Sequence, residues 1–468
     1  MRHERPGWRR MAGMALLLMA TTTVAAASSG TVHWRPCPPA VTDGYSAAVM
    51  RCGAFEQGES LDGKPVRIRI TRLQARPDRP TPHPIVYVPG GPGDPGGQRP
   101  QALQAWRRFQ QRAGWPRDLV IFDPRGTGLS TPRPSCGQVK PEAGKDELAA
   151  CFHALGADTV GDLGVDAQVA DLHRLIAALG QGSATVWAES YGALIARRLA
   201  LRHPDDVQAM ILDSPVLHPK PLARRRAAAF RRRRQQLIAG CRAHLQCRLT
   251  APSLGAVIDG LIAARRRDPT VISWARPPYR ARTIELNGAV VRTLVMLTGY
   301  GGRDDAAVRR ILRAAMTERA VLASLAGPLV ALARRKHRTA PVYWSTRCQF
   351  TRTRSGAKPD TPCARWPVAP LAATAGNIAV PVLVISGERD ILTPHDVAIR
   401  AVLAHPQWQF LSVAETGHGV LKRDPCARRA ISRFVASGGA WLDTLRCPPA
   451  LAGDKPERHA NDAARAPR

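Results

Sequence analysis

Four short apolar runs constrain this chain most: Ile85–Val88, Leu119–Phe122, Ala184–Trp187 and Met210–Leu212, each beside turn residues or the start of a helical pattern. Runs of this length without polar alternation fit strands buried on both faces, as in a parallel sheet. Helical patterns lie between them. Val169, Leu172, Leu175, Ile176 and Leu179 keep helical spacing and stop at Gly180, and a second helix is expected from Tyr191 to about Arg202, ended by His203-Pro204. Strands alternating with helices imply an α/β chain with a mostly parallel central sheet and right-handed crossovers. Ahead of them Val66, Ile68 and Ile70 alternate with Arg67 and Arg69, which predicts a half-exposed edge strand opened by the turn signal Asp62-Gly63.

The alternation breaks after Pro215, and buried strands return only at Val382–Ser386 and Phe410–Val413. The segment between is helix-prone and dense in arginine. Residues 219–340 carry 26 Lys/Arg against 6 Asp/Glu, more than half of the whole-chain charge of +32. The blocks Arg224–Arg226, Arg231–Arg234 and Arg265–Arg267 are expected to face solvent or an anionic partner. The expected organisation is a core in two parts, 28–218 and 376–447, a helical arginine-rich cap at 219–375, and a polar, disordered tail at 448–468.

Residues 1–27 read as an export signal. Arg2, Arg5, Arg9 and Arg10 precede an uncharged apolar run, which closes on Val24-Ala25-Ala26-Ala27-Ser28. Ten cysteines follow as five near-neighbour pairs, which suits disulfides in an exported chain, with sequential pairing as the simplest guess. A secreted or periplasmic location is expected, with no membrane span after cleavage. Zinc is disfavoured because no Cys-x-x-Cys or paired histidines occur. Nucleic acid is disfavoured too, since aromatics are 5% of the chain and no recognition motif interleaves them with the basic residues. An anionic envelope surface is the more fitting partner for the charge, beside an ordinary solvated surface.

The chemistry centres on Trp187-Ala188-Glu189-Ser190-Tyr191-Gly192, where a buried strand runs into a serine and a helix follows at once. Such a turn lifts the hydroxyl above the sheet edge, and small residues are needed two positions either side because neighbouring backbone passes close. Ala188 stands where glycine is usual. A serine hydroxyl needs a base, and in this arrangement the acid and then the histidine come later in the chain. Asp390 follows the strand Val382–Ser386, with Thr393 and Pro394 expected as N-cap and first residue of the next helix. Glu388 and Asp213 are rivals for the acid. His418, between Gly417 and Gly419, follows the strand ending at Val413. Two backbone N–H donors would stabilise the charge that acyl transfer builds: Tyr191, and Gly91 (or Gly90) in Pro89-Gly90-Gly91-Pro92-Gly93. No Gly-Lys-Ser/Thr follows that loop, so it does not cradle phosphate, and neither metal nor cofactor is expected.

With Phe122-Asp123-Pro124-Arg125-Gly126-Thr127-Gly128-Leu129-Ser130, these stretches resemble the proline iminopeptidase and tripeptidyl aminopeptidase family of α/β-hydrolases, and the exported, cysteine-paired form is most similar to the secreted tripeptidyl aminopeptidases. The likeness covers about 30–218 and 376–447. It implies an α/β-hydrolase fold with an inserted helical cap, a Ser190–His418–Asp390 triad, and release of short N-terminal units from peptides through an acyl-enzyme. Asp123 and Arg125 look structural. Holding a substrate's α-amine calls for a carboxylate, with Glu189, Glu285 and Glu318 as candidates. Two other readings stand beside this one: an esterase on the same scaffold, and a catalytically silent envelope-binding protein.

Overall fold

The computed structural model describes residues 30–42, 49–61, 63–76, 79–136, 145–217, 222–276, 279–301, 339–351, 362–373, 376–443 and 445–449. The export-signal segment, Glu318 and residues 450–468 lie outside the described residues.

The strands in chain order are β1 (Thr31–Pro36), β2 (Met50–Leu61), β3 (Lys64–Leu73), β4 (Ile85–Val88), β5 (Leu119–Phe122), β6 (Ala184–Glu189), β7 (Val207–Asp213), β8 (Thr270–Arg276), β9 (Tyr279–Leu286), β10 (Val382–Gly387), β11 (Trp408–Val413) and β12 (Arg446–Cys447). Ten of them form one sheet in the order β1-β2-β3-β5-β4-β6-β7-β10-β11-β12. From β5 to β12 every pairing is parallel, while β1, β2 and β3 are joined to it antiparallel. All four apolar runs of the first half are strands of the parallel part.

β3 is not the edge strand its alternation predicts. β2 pairs along it through a hairpin that turns at Gly63 (φ 66°), and β1 forms the edge outside β2. The alternation itself is correct: Val66, Ile68 and Ile70 are buried, while Arg67 is exposed and pairs with Glu56 across the hairpin at 2.8 Å. A period of two reports which face a strand buries and says nothing about whether its backbone has a second neighbour.

The helices are α1 (Pro39–Thr42), α2 (Pro100–Ala113), α3 (Lys145–Leu155), α4 (Ala157–Gly161), α5 (Val165–Leu179), α6 (Gly192–Arg202), α7 (Leu222–Ala243), α8 (Leu245–Thr250), α9 (Leu254–Arg267), α10 (Gly288–Leu297), α11 (Ala340–Thr351), α12 (His395–Leu403) and α13 (Pro425–Ala436). α5, α6 and α12 cover one face of the sheet with Val169, Leu172, Ile195, Leu199 and Ala398. α2 and α13 cover the other with Leu103, Trp106, Phe109, Ile431 and Phe434. Helices on both faces bury β4, β5 and β10 throughout and most of β6 and β7, which is why those strands read as apolar runs. α5 stops where expected, at Gly180 in the left-handed conformation (φ 64°).

The insertion is more divided than the sequence suggests. α7, α8, α9 and α10 share an apolar cluster of their own around Leu237, Ile258 and Val295. α11 instead joins α3 and α4 in a second cluster with Trp344, Trp366, Leu148 and Val160. The strands β8 and β9 form a two-stranded hairpin where only helices were expected. The arginine block Arg231–Arg234 also departs from its expectation. Arg233 is fully buried, donating to Thr298 Oγ1 at 3.1 Å, while Arg232 pairs with Asp396 and Arg234 with Asp259. A block on a helix spreads around its circumference, so one of four consecutive side chains can face inward if polar partners meet it. Arg266 and Arg267 are exposed.

All ten cysteines are joined in the sequential pattern, Cys37–Cys52, Cys136–Cys151, Cys241–Cys247, Cys348–Cys363 and Cys426–Cys447. Arg125 and Asp171 make a buried ion pair with two hydrogen bonds, one of them Nε to Oδ2 at 2.6 Å, and Arg125 Nη1 also donates to the Asp162 carbonyl at 3.0 Å. Asp171→Ala strands a buried guanidinium and should cost about 3–5 kcal/mol in urea unfolding. A loss below about 1 kcal/mol would show that water reaches the site and solvates the cation.

Candidate active site

β6 ends at Glu189 and α6 begins at Gly192, so Ser190 and Tyr191 alone make the turn. Ser190 adopts φ 56°, left-handed backbone that a non-glycine residue occupies only under constraint. The constraint is visible. Ser190 N–H donates to the Asp213 carbonyl at 2.9 Å, and its own carbonyl accepts from Val216 N–H at 2.9 Å. Gly192 is required by close approach, since a Cβ there would lie 2.6 Å from the Val88 carbonyl oxygen. Ala188 causes no conflict: its methyl is buried in the core cluster that also holds Val88 and Leu212.

The loop after β4 lies against the serine. A Cβ built on Gly90 would be 3.1 Å from Ser190 Cβ and 3.8 Å from its Oγ. Gly91 follows at φ 122°. Tyr191 sits at the N-terminus of α6, where the first backbone N–H groups have no partner within the helix and the helix dipole favours negative charge. Both expected oxyanion donors therefore come from the two segments that flank Ser190.

Asp390 and His418 meet. His418 Nδ1 lies 2.8 Å from Asp390 Oδ2, and both side chains are buried. The other carboxylate oxygen, Oδ1, accepts from Leu392 N–H at 2.8 Å and Thr393 N–H at 3.0 Å. Burial alone would raise the Asp390 pKa, but the imidazole beside it and the donors of Thr393 outweigh this and hold it below the usual carboxylate value. Burial likewise works to lower the His418 pKa, and the nearby carboxylates of Asp390, Glu189 and Asp213 outweigh it and raise it. An ionised carboxylate only accepts, so Nδ1 carries the proton and Nε2 offers a lone pair to a hydroxyl. Thr393 does not cap the following helix as expected. The N-cap position of α12 is Pro394, and the Thr393 hydroxyl lies 2.7 Å from Asp390 Oδ2 and 2.9 Å from the Ser214 carbonyl.

The rival carboxylates are engaged elsewhere. Glu388 accepts from Arg446 Nε at 2.9 Å and Ser412 Oγ at 3.1 Å, on the outer strands. Asp213 accepts the backbone N–H groups of Val420 and Leu421 at 2.9 and 3.0 Å, so it anchors the histidine loop from below. Burial, with Glu189 nearby, raises its pKa to about 6. Asp123 accepts Gly97 N–H at 2.8 Å and Leu129 N–H at 2.7 Å, a structural use like that of Arg125. Glu285 is exposed on the β8–β9 hairpin. Glu189, half-buried, is engaged within the chain: Lys422 Nζ lies 2.7 Å from its Oε2, and Tyr87 Oη donates to the same oxygen at 3.0 Å. Glu189, expected as a candidate for a substrate amine, thus already holds an ammonium of the chain itself. Lys422 was not anticipated from the sequence, because nothing local in Leu421-Lys422-Arg423 marks a buried ammonium.

Comparison with known proteins bears on the fold and the class of protein. Residues 83–260 match the family model described as alpha/beta hydrolase fold, and residues 349–446 match one described as TAP-like protein. A putative hydrolase, YuaR, of Escherichia coli is 32% identical over 160 residues, 32% of this chain and 31% of its own. Serine protease Hip1 of Mycobacterium tuberculosis is 26% identical over 321 residues, 57% of this chain and 60% of its own. The chain thus spans less than two thirds of either relative. A tripeptidyl aminopeptidase of Streptomyces coelicolor is 23% identical over 446 residues, 83% of this chain and 80% of its own. This chain therefore has the α/β-hydrolase fold, and its residues 349–446 are similar to the TAP-like proteins.

Proposed function

We propose that the protein is an exported serine peptidase that releases short units from the N-terminus of peptides, with Ser190 as nucleophile, His418 as base and Asp390 as its orienting carboxylate. Ser190 Oγ attacks the scissile carbonyl while His418 Nε2 takes its proton. The N–H groups of Tyr191 and Gly91 hold the developing oxyanion. His418 then returns the proton to the leaving amine, and water resolves the acyl-enzyme by the same route. The observation that carries this reading is the 2.8 Å contact of His418 with Asp390 at the ends of neighbouring strands, beside a serine turn held at positive φ. The relatives named serine protease and tripeptidyl aminopeptidase support the peptidase class. Five disulfides and the amino-terminal signal pattern support export. The net charge of +32 favours association with an anionic envelope surface.

An esterase reading is favoured by one observation: the Glu189 carboxylate beside the nucleophile is already neutralised by Lys422. A panel of aminoacyl, dipeptidyl and tripeptidyl arylamides beside p-nitrophenyl butyrate separates the two. An aminopeptidase turns over a free-amine arylamide and loses about 100-fold or more when that amine is acetylated, since acetylation removes the charge and the hydrogen-bond donors by which a free amine is recognised. An enzyme that cleaves the ester and none of the arylamides contradicts the peptidase reading.

A further inference from the structure

On β6 the side chains of Trp187 and Glu189 point to the same face, and Trp187 stands opposite Tyr87 on β4. That face holds a packed aromatic group. Tyr87 and Trp106 each lie 4.7 Å from a ring partner in it, and Trp187 is fully buried at its centre. Into this group Lys422 inserts its ammonium, 4.4 Å from the Tyr87 ring and 4.8 Å from the Trp106 ring. Lys422 Nζ also donates to Tyr87 Oη at 2.6 Å and pairs with Glu189 Oε2 at 2.7 Å. Lys422 is buried, and rings, hydroxyl and carboxylate together take the place of water around its ammonium.

The chain positions of these groups matter. Glu189 immediately precedes Ser190, and Lys422 lies four residues after His418 on the same loop. Gly419 brings that loop over the carboxylate, since a Cβ there at φ 74° would sit 3.2 Å from Glu189 Oε1. We propose that the Glu189–Lys422 ion pair is a positioning clasp that ties the serine turn to the histidine loop and sets the charge His418 senses, rather than a receptor for a substrate amine. This rests on the triad reading above.

Two arguments support the clasp over amine binding. A tethered ammonium at 2.7 Å competes with any substrate amine at high effective concentration, and the pair is net neutral toward an approaching cation. Burial opposes the Glu189 charge, yet Lys422, His418 and the Tyr87 hydroxyl hold its pKa down to about 2, so the carboxylate is ionised throughout the working range. The charged and titratable groups around His418 are Asp390, Glu189, Asp213, Lys422, and Arg423, whose Nε donates to the His418 carbonyl at 3.3 Å.

The signs follow from those charges. Glu189→Gln removes a carboxylate that raises the His418 pKa and leaves Lys422 charged, so the acid limb of kcat/KM moves to lower pH. Lys422→Met keeps the volume and leaves Glu189 uncompensated, so the limb moves to higher pH. With p-nitrophenyl butyrate as the probe, each single variant should move the limb by about one pH unit in these opposite directions. The double variant should return it to within a few tenths of wild type. Stoichiometric labelling of each variant by a fluorophosphonate shows that its site is assembled, and a wild-type enzyme that resists labelling would defeat the triad reading independently. Equal limbs in both single variants, with only rate or melting temperature lost, would overturn the clasp. A rise in KM for free-amine arylamides in Glu189→Gln, absent for the ester, would overturn it in favour of amine recognition.

Discussion

Ser190→Ala is expected to lower kcat by about 10⁵–10⁶-fold on any substrate the wild type cleaves, with KM changed little. The mutation removes one oxygen from a turn whose backbone contacts, from Ser190 N–H to Asp213 and from Val216 N–H to the Ser190 carbonyl, involve no side-chain atom. The strained φ of 56° remains, and alanine tolerates it about as well as serine. The melting temperature should therefore stay within a few degrees, since surface and turn substitutions of this size shift stability by about 0.5 kcal/mol. Activity and stability separate cleanly in this variant. A residual rate above that of water is expected, because the Tyr191 and Gly91 N–H groups remain.

Asp390→Asn should cost about 10⁴-fold in kcat, through the tautomer of His418 rather than through geometry. Asp390 Oδ1 accepts two backbone N–H bonds, from Leu392 and Thr393, so the single oxygen of an asparagine is drawn to that position. The amide NH₂ then takes the place of Oδ2, 2.8 Å from His418 Nδ1. Two donors cannot face each other, so Nδ1 gives up its proton and Nε2 acquires one. The base then has no lone pair for the serine hydroxyl. The loss should shrink at high pH as hydroxide assists the attack, whereas a variant that had only shifted the loop would stay slow throughout. Equal loss at all pH values would count against the tautomer account.

The proposed catalytic residues were legible because their evidence is local. Each of Ser190, Asp390 and His418 comes within five residues of the end of a short apolar run, and strand ends in a parallel sheet gather on one edge. What was not legible is decided by contacts distant in sequence. β2 carries Arg51, Glu56, Gln57 and Glu59 among its residues, and only its pairing with β1 and β3 makes it a strand. Lys422 and Tyr87 meet across 335 positions, so no window of sequence marks their contact. The burial of Arg233 has the same origin, since its partner Thr298 lies 65 residues on. Thr393 looked like a helix cap because the Thr-Pro pattern is a local signal, yet the neighbouring Asp390 and Ser214 offered its hydroxyl better partners.

The central claim is that Ser190 is an activated nucleophile, and covalent labelling tests it most directly. The full-length protein is treated with a fluorophosphonate and the intact mass and peptide map are read. The account predicts one equivalent of adduct, on Ser190, absent from Ser190→Ala and strongly slowed in a His418→Ala variant. An adduct on another residue, or labelling that persists in Ser190→Ala, would contradict it.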